Sequence, residues 1–134
     1  TTLELVEVIK SATGANYFYK NHPERKIFQA LRIEVNEELT VLEKVLPDAI
    51  NLLKKGGRIG VITFHSLEDR IVKNIFRENS EVDELVKGLV EVPVAYMPKI
   101  KLINKKPILP SEKELEENSR SRSAKLRIIE RIWL

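Results

Sequence analysis

Residues 58–76 read RIGVITFHSLEDRIVKNIF, and their pattern indicates the fold class of the chain. Residues 59–64 are apolar on both alternating faces, which is the pattern of a strand buried on both sides in a parallel sheet. A glycine pair precedes this strand, and a helical period follows it over residues 66–78. Helix, glycine turn, buried strand and helix in this order predict an α/β protein with a doubly wound layer.

Upstream of this stretch, the apolar residues predict helices. A first helix is capped by Thr1 or Thr2 and stopped by Gly14, and residues 14–26 after it are expected to be irregular. A helical period then runs over residues 27–53, with a kink or break expected at Leu46 and Pro47 opening the last two turns.

Downstream, KIKLIN (99–104) and SAKLRIIERIWL (123–134) predict strands. Between them, PSEKELEEN predicts a short helix capped by Ser111, with Glu114 placed for a capping box. Residues 79–98 are compatible with a short helix or with a loop framed by prolines.

Composition excludes several classes of site. The chain of 134 residues contains no cysteine, so disulfides, thiolate zinc sites and cysteine nucleophiles are excluded. It has two histidines and no H-x-x-x-H pair, so we predict no dedicated metal site. The net charge is +3, and residues 97–134 carry ten basic and five acidic side chains. This basic third permits a polyanionic partner.

The sequence shows no sign of a membrane segment or a secretory signal. No apolar stretch approaches the roughly 20 residues that span a bilayer, and the first ten residues do not resemble a secretory signal. We therefore expect a cytoplasmic protein without a membrane partner. The chain opens without methionine, so either an initiator was removed or a longer protein is entered partway.

The segment His65-Ser66-Leu67-Glu68-Asp69 has two interpretations. Ser66 at an N-cap position with Asp69 three residues later indicates a capping box, a structural role. Alternatively, His65 follows the carboxyl end of a strand, where open α/β sheets bind ligands, and it either contacts a substrate or anchors a loop.

Two catalytic classes are not supported by the residues. A serine hydrolase needs G-x-S-x-G, whereas Ser66 stands in FHSLE. A phosphate-cradling loop needs glycines after a strand, whereas Gly56 and Gly57 precede one. The tail ENSRSRSAKLR presents arginines and serines that suit phosphate oxygens, although solvated loops commonly carry such charges.

Four stretches, taken in order, resemble the carboxy-terminal half of the RsmH (MraW) family. They are HPERKIFQALRIEVNEEL, LLKKGGRIGVITFHSLEDRIVKNIFR, KKPILPSEKELEEN and SRSAKLRIIERI. The resemblance covers residues 2–132 except 79–98, and one departure is Ser119, which replaces the proline of the usual Asn-Pro-Arg motif. Members are bacterial S-adenosylmethionine-dependent methyltransferases that modify N4 of a cytosine in small-subunit (16S) ribosomal RNA.

The resemblance implies a fold and a domain division. The fold is α/β, the carboxy-terminal part of a Rossmann-like class I methyltransferase sheet, preceded by the end of an inserted helical domain. Residues 1–33 would be the end of that substrate-side domain, and residues 34–134 the carboxy-terminal half of the catalytic domain. The family's cofactor site, with its glycine-rich loop and acidic ribose ligand, lies amino-terminal to these motifs. We therefore expect a fragment without S-adenosyl-L-methionine-binding residues, inactive alone.

The resemblance also implies site residues. His65 and Ser66 would lie at the rim of the pocket that receives the cytosine. The residues expected to contact ribosomal RNA or the small ribosomal subunit are Arg120, Arg122, Lys125, Arg25 and Lys26. Two alternatives remain: a non-enzymatic RNA-binding or interaction module, and an inert fragment that is stable only as a homo-oligomer or with a partner segment.

Overall fold

The computed structural model describes residues 1–133, which form two compact units, Thr1–Glu38 and the remainder of the chain from Leu39. The helices are α1 (Thr2–Thr13), α2 (Ala15–Asn21), α3 (Pro23–Val35), α4 (Glu38–Leu52), α5 (Ser66–Ser80) and α6 (Glu112–Glu117). The strands are β1 (Arg58–Thr63), β2 (Ile100–Leu102) and β3 (Lys125–Arg131), and 3-10 turns occur at Glu84–Val86, Val94–Tyr96 and Ser119–Ser123. Within residues 1–133, no helix is both long and apolar enough to cross a membrane. The domain division at residues 33 and 34 stays a prediction, and its last residue, Leu134, lies outside the described residues.

The amino-terminal unit contains α1, α2 and α3. Thr1 caps α1 through a capping box with Glu4, and Gly14 ends the helix, as predicted. The expectation of irregular structure over residues 14–26 is wrong, because α2 and α3 occupy most of this segment. Gly14, with φ of 80°, and His22, with φ of 49°, depart from helical geometry. Pro23 lacks an N–H and is well placed as the first residue of α3, so the chain turns at one residue.

The long helical period is broken at a different place from the predicted one. α3 ends at the C-cap Asn36, and Glu37 adopts a left-handed conformation with φ of 51° before α4 begins. Leu46, where the break was expected, and Pro47 after it both lie inside α4. Leu46 and Ile50 on either side of the proline are buried in the core, and this burial holds the helix in place despite the missing hydrogen bond.

The sheet has the strand order β1-β3-β2, and both pairings are antiparallel. β3 therefore lies in the centre, where Ile129 pairs with Ile59 of β1 and Leu102 of β2. The α/β class is confirmed. Among the described strands no parallel pair occurs, so the predicted parallel layer is not found there, and the Rossmann-like sheet stays a prediction.

One face of the sheet carries the core. α4 and α5 pack against it, and Ile59 and Val61 of β1 point into the same cluster. The buried members are Leu46, Ile50, Val72, Phe76, Ile100 and Ile129. This cluster holds the carboxyl end of β1 and the start of α5 in a defined position.

The opposite face of the sheet, which we call the open face, is uncovered in the described structure. The side chain of Ile62 is 58% exposed, and Ile103 and Ile108 are exposed as well. At one end of this face, Glu130 accepts from Arg58 over 2.7 Å and also pairs with Lys101. The prediction that β1 is buried on both sides is therefore wrong. The exposure of its side chains alternates along the strand, because only one face of the strand packs against helices.

One edge of β1 is also unpaired among the described residues. The Arg131 N–H donates to the Gly57 carbonyl over 2.9 Å. Counted from Gly57, every second residue of β1 therefore forms its backbone hydrogen bonds with β3. The backbone groups of Arg58, Gly60 and Ile62 consequently point away from β3. No described strand lies on that side.

Gly56→Ala is expected to lower the free energy of unfolding by about 1–2 kcal/mol. Gly56 has φ of 81°, a conformation that a Cβ disfavours, and its N–H donates to the Arg131 carbonyl over 2.8 Å. Gly60→Ala is the matched control, since a Cβ there would meet Leu126 at an ordinary 3.4 Å. Urea unfolding of both variants measures the difference. Equal stabilities would show that the turn tolerates a side chain.

Candidate functional site

The site lies where β1 ends and α5 begins. His65 is extended, with φ of −141° and ψ of 164°, and it is the N-cap of α5. Its Nδ1 accepts from the Glu68 N–H over 3.4 Å. In return, Glu68 Oε2 accepts from the Phe64 N–H over 2.9 Å and from the His65 N–H over 3.3 Å. The carboxylate of Glu68 therefore closes the amino-terminal end of the helix.

The predicted capping box exists, but it is displaced by one residue. Ser66, predicted as the cap, is the exposed first residue of α5, and Asp69 is not the reciprocal partner. The imidazole of His65 supplies the acceptor that a serine hydroxyl usually supplies. The sequence contained a signal for this arrangement, because Glu68 stands three residues after His65.

The capping bond fixes the tautomer of His65. Since Nδ1 accepts from a backbone N–H, the neutral ring carries its proton on Nε2. Nε2 lies 3.4 Å from Glu68 Oε1 and is enclosed, and it makes no hydrogen bond within residues 1–133. The contact with the Glu68 carboxylate is long for a hydrogen bond, so a ligand acceptor that displaces it can take this proton.

Asp69, in the first turn of α5, joins the helix to β3. Its carboxylate accepts from Arg127 Nε over 2.7 Å and Arg127 Nη2 over 3.1 Å, and Lys125 Nζ lies 3.5 Å away. The hydrogen bond from Arg127 is the largest cause that holds the pKa of Asp69 below its usual range. Sequence reasoning missed this pair, because its members are 58 residues apart and no local pattern relates them.

The antiparallel register brings part of the basic tail to the same end of the sheet. Thr63 at the end of β1 pairs with Lys125 at the start of β3, and the 3-10 turn with Arg120 and Arg122 directly precedes β3. Both arginines are exposed, and their guanidinium groups form no ion pair or hydrogen bond within the described part of the chain. Lys125 differs from them, because its Nζ forms an ion pair with Asp69 over 3.5 Å.

The remaining predicted residues, Arg25 and Lys26, belong to the amino-terminal unit, where both are exposed on α3. The end of this unit contains an exposed polar network. Arg32 pairs with Glu38 over 2.9 Å, and Asn36 Nδ2 donates to Glu38 Oε1 over 3.1 Å.

S-adenosyl-L-methionine does not fit the residues at this site. A nucleotide-like cofactor is normally cradled by glycines at a helix amino terminus, where free N–H groups face the ligand. Here the connection from β1 to α5 contains no glycine. The N–H groups of Phe64 and His65 are taken by Glu68. The described residues therefore form no site for the cofactor at this helix.

The comparison with known families gives one match. The family model described as the MraW methylase family matches residues 1–132, nearly the whole chain. This match includes both compact units, the β1–α5 connection and the arginine-bearing turn.

Proposed function

Because the chain belongs to the MraW methylase family, we propose that it is part of an S-adenosylmethionine-dependent methyltransferase that methylates N4 of a cytosine in small-subunit ribosomal RNA. The family match over residues 1–132 carries this proposal. The four motifs that resemble the cytosine-N4 enzymes lie within the matched range and supply the choice of substrate.

We propose further that S-adenosylmethionine, which supplies the methyl group when bound, is held by polypeptide outside these 134 residues. The support is the β1–α5 connection, which lacks glycine and whose helix end is closed by Glu68. The role of this chain would then be to bind and orient the RNA. The chain alone is expected to be inactive.

Orientation is the principal demand of this reaction. The amine nitrogen of cytosine is weakly nucleophilic because its lone pair is delocalised into the ring, so catalysis depends on positioning. The base must also leave the stack to be reached. We propose that His65 lies at the rim of the pocket and that its Nε2–H donates to an acceptor of the cytosine ring. The enclosed Nε2, which makes no hydrogen bond within residues 1–133 and lies 3.4 Å from Glu68 Oε1, supports this role, and Ser66 remains a rim residue by position.

Arg120 and Arg122 are proposed to hold RNA phosphates, with Lys125, Arg25 and Lys26 in support. The guanidinium groups of Arg120 and Arg122 form no ion pair within the described residues, and guanidinium groups bind phosphate oxygens well. Lys125 is expected to contribute less, because Asp69 already engages its charge.

Replacing Arg120 and Arg122 together with alanine is expected to weaken RNA binding for all sequences alike. The slope of log affinity against log salt should fall by about 1.4, roughly 0.7 for each phosphate contact to a single strand. Lys113→Ala is the matched control, because Glu117 lies 3.9 Å from that exposed lysine on α6. Fluorescence anisotropy at several salt concentrations measures both. An unchanged slope in the arginine variant would remove these residues from the RNA interface.

The experiment that tests the proposed function is reconstitution. The chain is co-expressed with the amino-terminal half of a full-length member of the family, and the product is incubated with small ribosomal subunits and S-adenosylmethionine. N4-methylcytosine, detected by mass spectrometry, is expected only with both halves. Cofactor binding by the chain alone in calorimetry would contradict the fragment proposal. RNA binding without any methylation would favour the non-enzymatic module.

A further inference from the structure

The segment from Lys10 to Ile33 in the amino-terminal unit has an unusual charge distribution. Its charged residues are Lys10, Lys20, Arg25, Lys26, Arg32 and Glu24. Glu24 is the single acid, its side chain is 17% exposed, and His22 Nδ1 lies 3.2 Å from its Oε1. The acid is thus mostly withdrawn from solvent. Arg32 pairs with Glu38, so the basic surface of this segment is supplied by Lys10, Lys20, Arg25 and Lys26.

α2 in the middle of this segment carries three consecutive aromatic residues with different environments. Phe18 is buried and anchors the helix in the unit. Tyr17 and Tyr19 lie about 100° to either side of it around the helix. They are 55% and 62% exposed, which is high for large aromatic rings that fill no core.

The ring of Tyr19 is held in place from two sides. The Phe18 ring lies nearly perpendicular to it with centroids 5.5 Å apart, and Lys10 Nζ lies 5.3 Å from its centroid. A hydrogen bond with Tyr19 is the largest cause that raises the pKa of Lys10 above its usual value. The lysine therefore stays charged beside the ring. An exposed ring held in place loses little freedom on contact with a flat ligand.

We propose that Tyr17 and Tyr19 are stacking platforms for unpaired bases of a single-stranded RNA segment whose phosphates are bound by the lysines and arginines around them. Aromatic faces combined with basic side chains are the general means of binding single-stranded nucleic acid. The choice of RNA as ligand rests on the proposed function. The stacking itself requires no methyl transfer.

Binding of a fluorescein-labelled single-stranded RNA of about twelve nucleotides tests this proposal. Tyr17→Leu and Tyr19→Leu are each expected to raise Kd about tenfold without changing the salt slope. Tyr17→Phe and Tyr19→Phe keep the ring and should stay within about twofold of the unchanged protein. Lys20→Ala should instead lower the salt slope by about 0.7. Thermal unfolding followed by circular dichroism confirms that each variant is folded.

Tyr96→Leu is the matched control, because this tyrosine is also exposed but lies outside the amino-terminal unit. It should leave Kd unchanged, and an equal loss in Tyr96→Leu would overturn the proposal. Three other results would also overturn it: leucine variants that bind RNA normally, phenylalanine variants that lose as much RNA affinity as the leucine variants, or an unmodified chain that does not bind RNA. Normal RNA binding with altered self-association in ultracentrifugation would assign the tyrosines to a protein contact instead.

The two proposals fail in different ways. If reconstitution gives no methylation while RNA affinity follows the tyrosines, the methyltransferase function is wrong and the stacking surface stands. If methylation proceeds and both leucine variants keep the KM and kcat of the unchanged protein, the stacking surface is wrong and the function stands.

Discussion

Asp69→Ala is expected to lower the free energy of unfolding by about 3 kcal/mol, the largest effect on stability that we predict for a single polar residue. The side chains of Asp69 and Arg127 are each 12% exposed, and the carboxylate accepts two hydrogen bonds from the guanidinium group. Its removal leaves a largely buried guanidinium without its counter-ion. Urea unfolding measures the loss.

The matched control is Glu117→Ala, which removes an acid from an exposed ion pair with Lys113. That change should alter stability by less than about 0.5 kcal/mol. The double variant Asp69→Ala/Arg127→Ala should lose less than the sum of its single variants, because neither charge is then left alone. Additive losses would show that the two side chains do not interact energetically.

The same pair predicts a pH dependence. The pKa of Asp69 is lowered in the folded protein, so its contribution is present above the unfolded value of about 3.9 and is lost as pH falls through the folded value. The difference in stability between the unchanged protein and Asp69→Asn should therefore shrink below about pH 4. Lys101 and Arg58 lower the pKa of Glu130 in the same direction. Glu130 is present in both proteins, so only the difference between them reports on Asp69.

His65→Asn in the reconstituted enzyme is expected to lower kcat/KM for methylation about 100-fold, because misplacement of a reacting group by about 1 Å has an effect of this size. Asparagine keeps a side-chain acceptor at the N-cap, so α5 stays capped and stability should change by no more than a few tenths of a kcal/mol. It removes the Nε2–H that we propose to contact the cytosine ring. Single-turnover kinetics with small ribosomal subunits give the rate.

Two further variants separate catalysis from capping. His65→Ala loses both the ring and the cap and should also cost about 1 kcal/mol of stability. Ser111→Ala removes the cap of α6, whose Oγ accepts from the Glu114 N–H over 3.2 Å, and should leave methylation unchanged. If His65→Asn methylates at the normal rate, His65 is a helix cap and has no substrate role.

Elements with a strong local signal were predictable from the sequence. The strand at Ile59, the helix after it and the terminal strand at Ile129 have continuous or periodic apolar patterns, and the structure has all three. α2 was missed because seven residues with consecutive aromatics show no helical period. The break at Glu37 was missed because no glycine or proline in the sequence indicates the left-handed conformation of this residue.

The local structure around His65 and Ser66 was predictable in part, whereas their functional roles stay predictions. A polar segment after a buried strand pointed to the region of His65 and Ser66. The cap was predicted at the wrong residue, because an imidazole nitrogen takes the place of the hydroxyl or carboxylate oxygen that usually caps a helix. The partner of Asp69 depends on the register between β1 and β3, which brings Arg127 to the start of α5. Tertiary register of this kind has no local signal in a single sequence.

The open face and the unpaired edge of β1 also have a consequence for the life of the chain in a cell. Exposed apolar surface and free strand edges are the features at which misassembly begins and by which chaperones and proteases recognise their clients. Ile62, Ile103 and Ile108 present such a surface in the folded state, without any unfolding. A partner segment that pairs with this edge and covers these side chains is therefore expected to protect the chain from both.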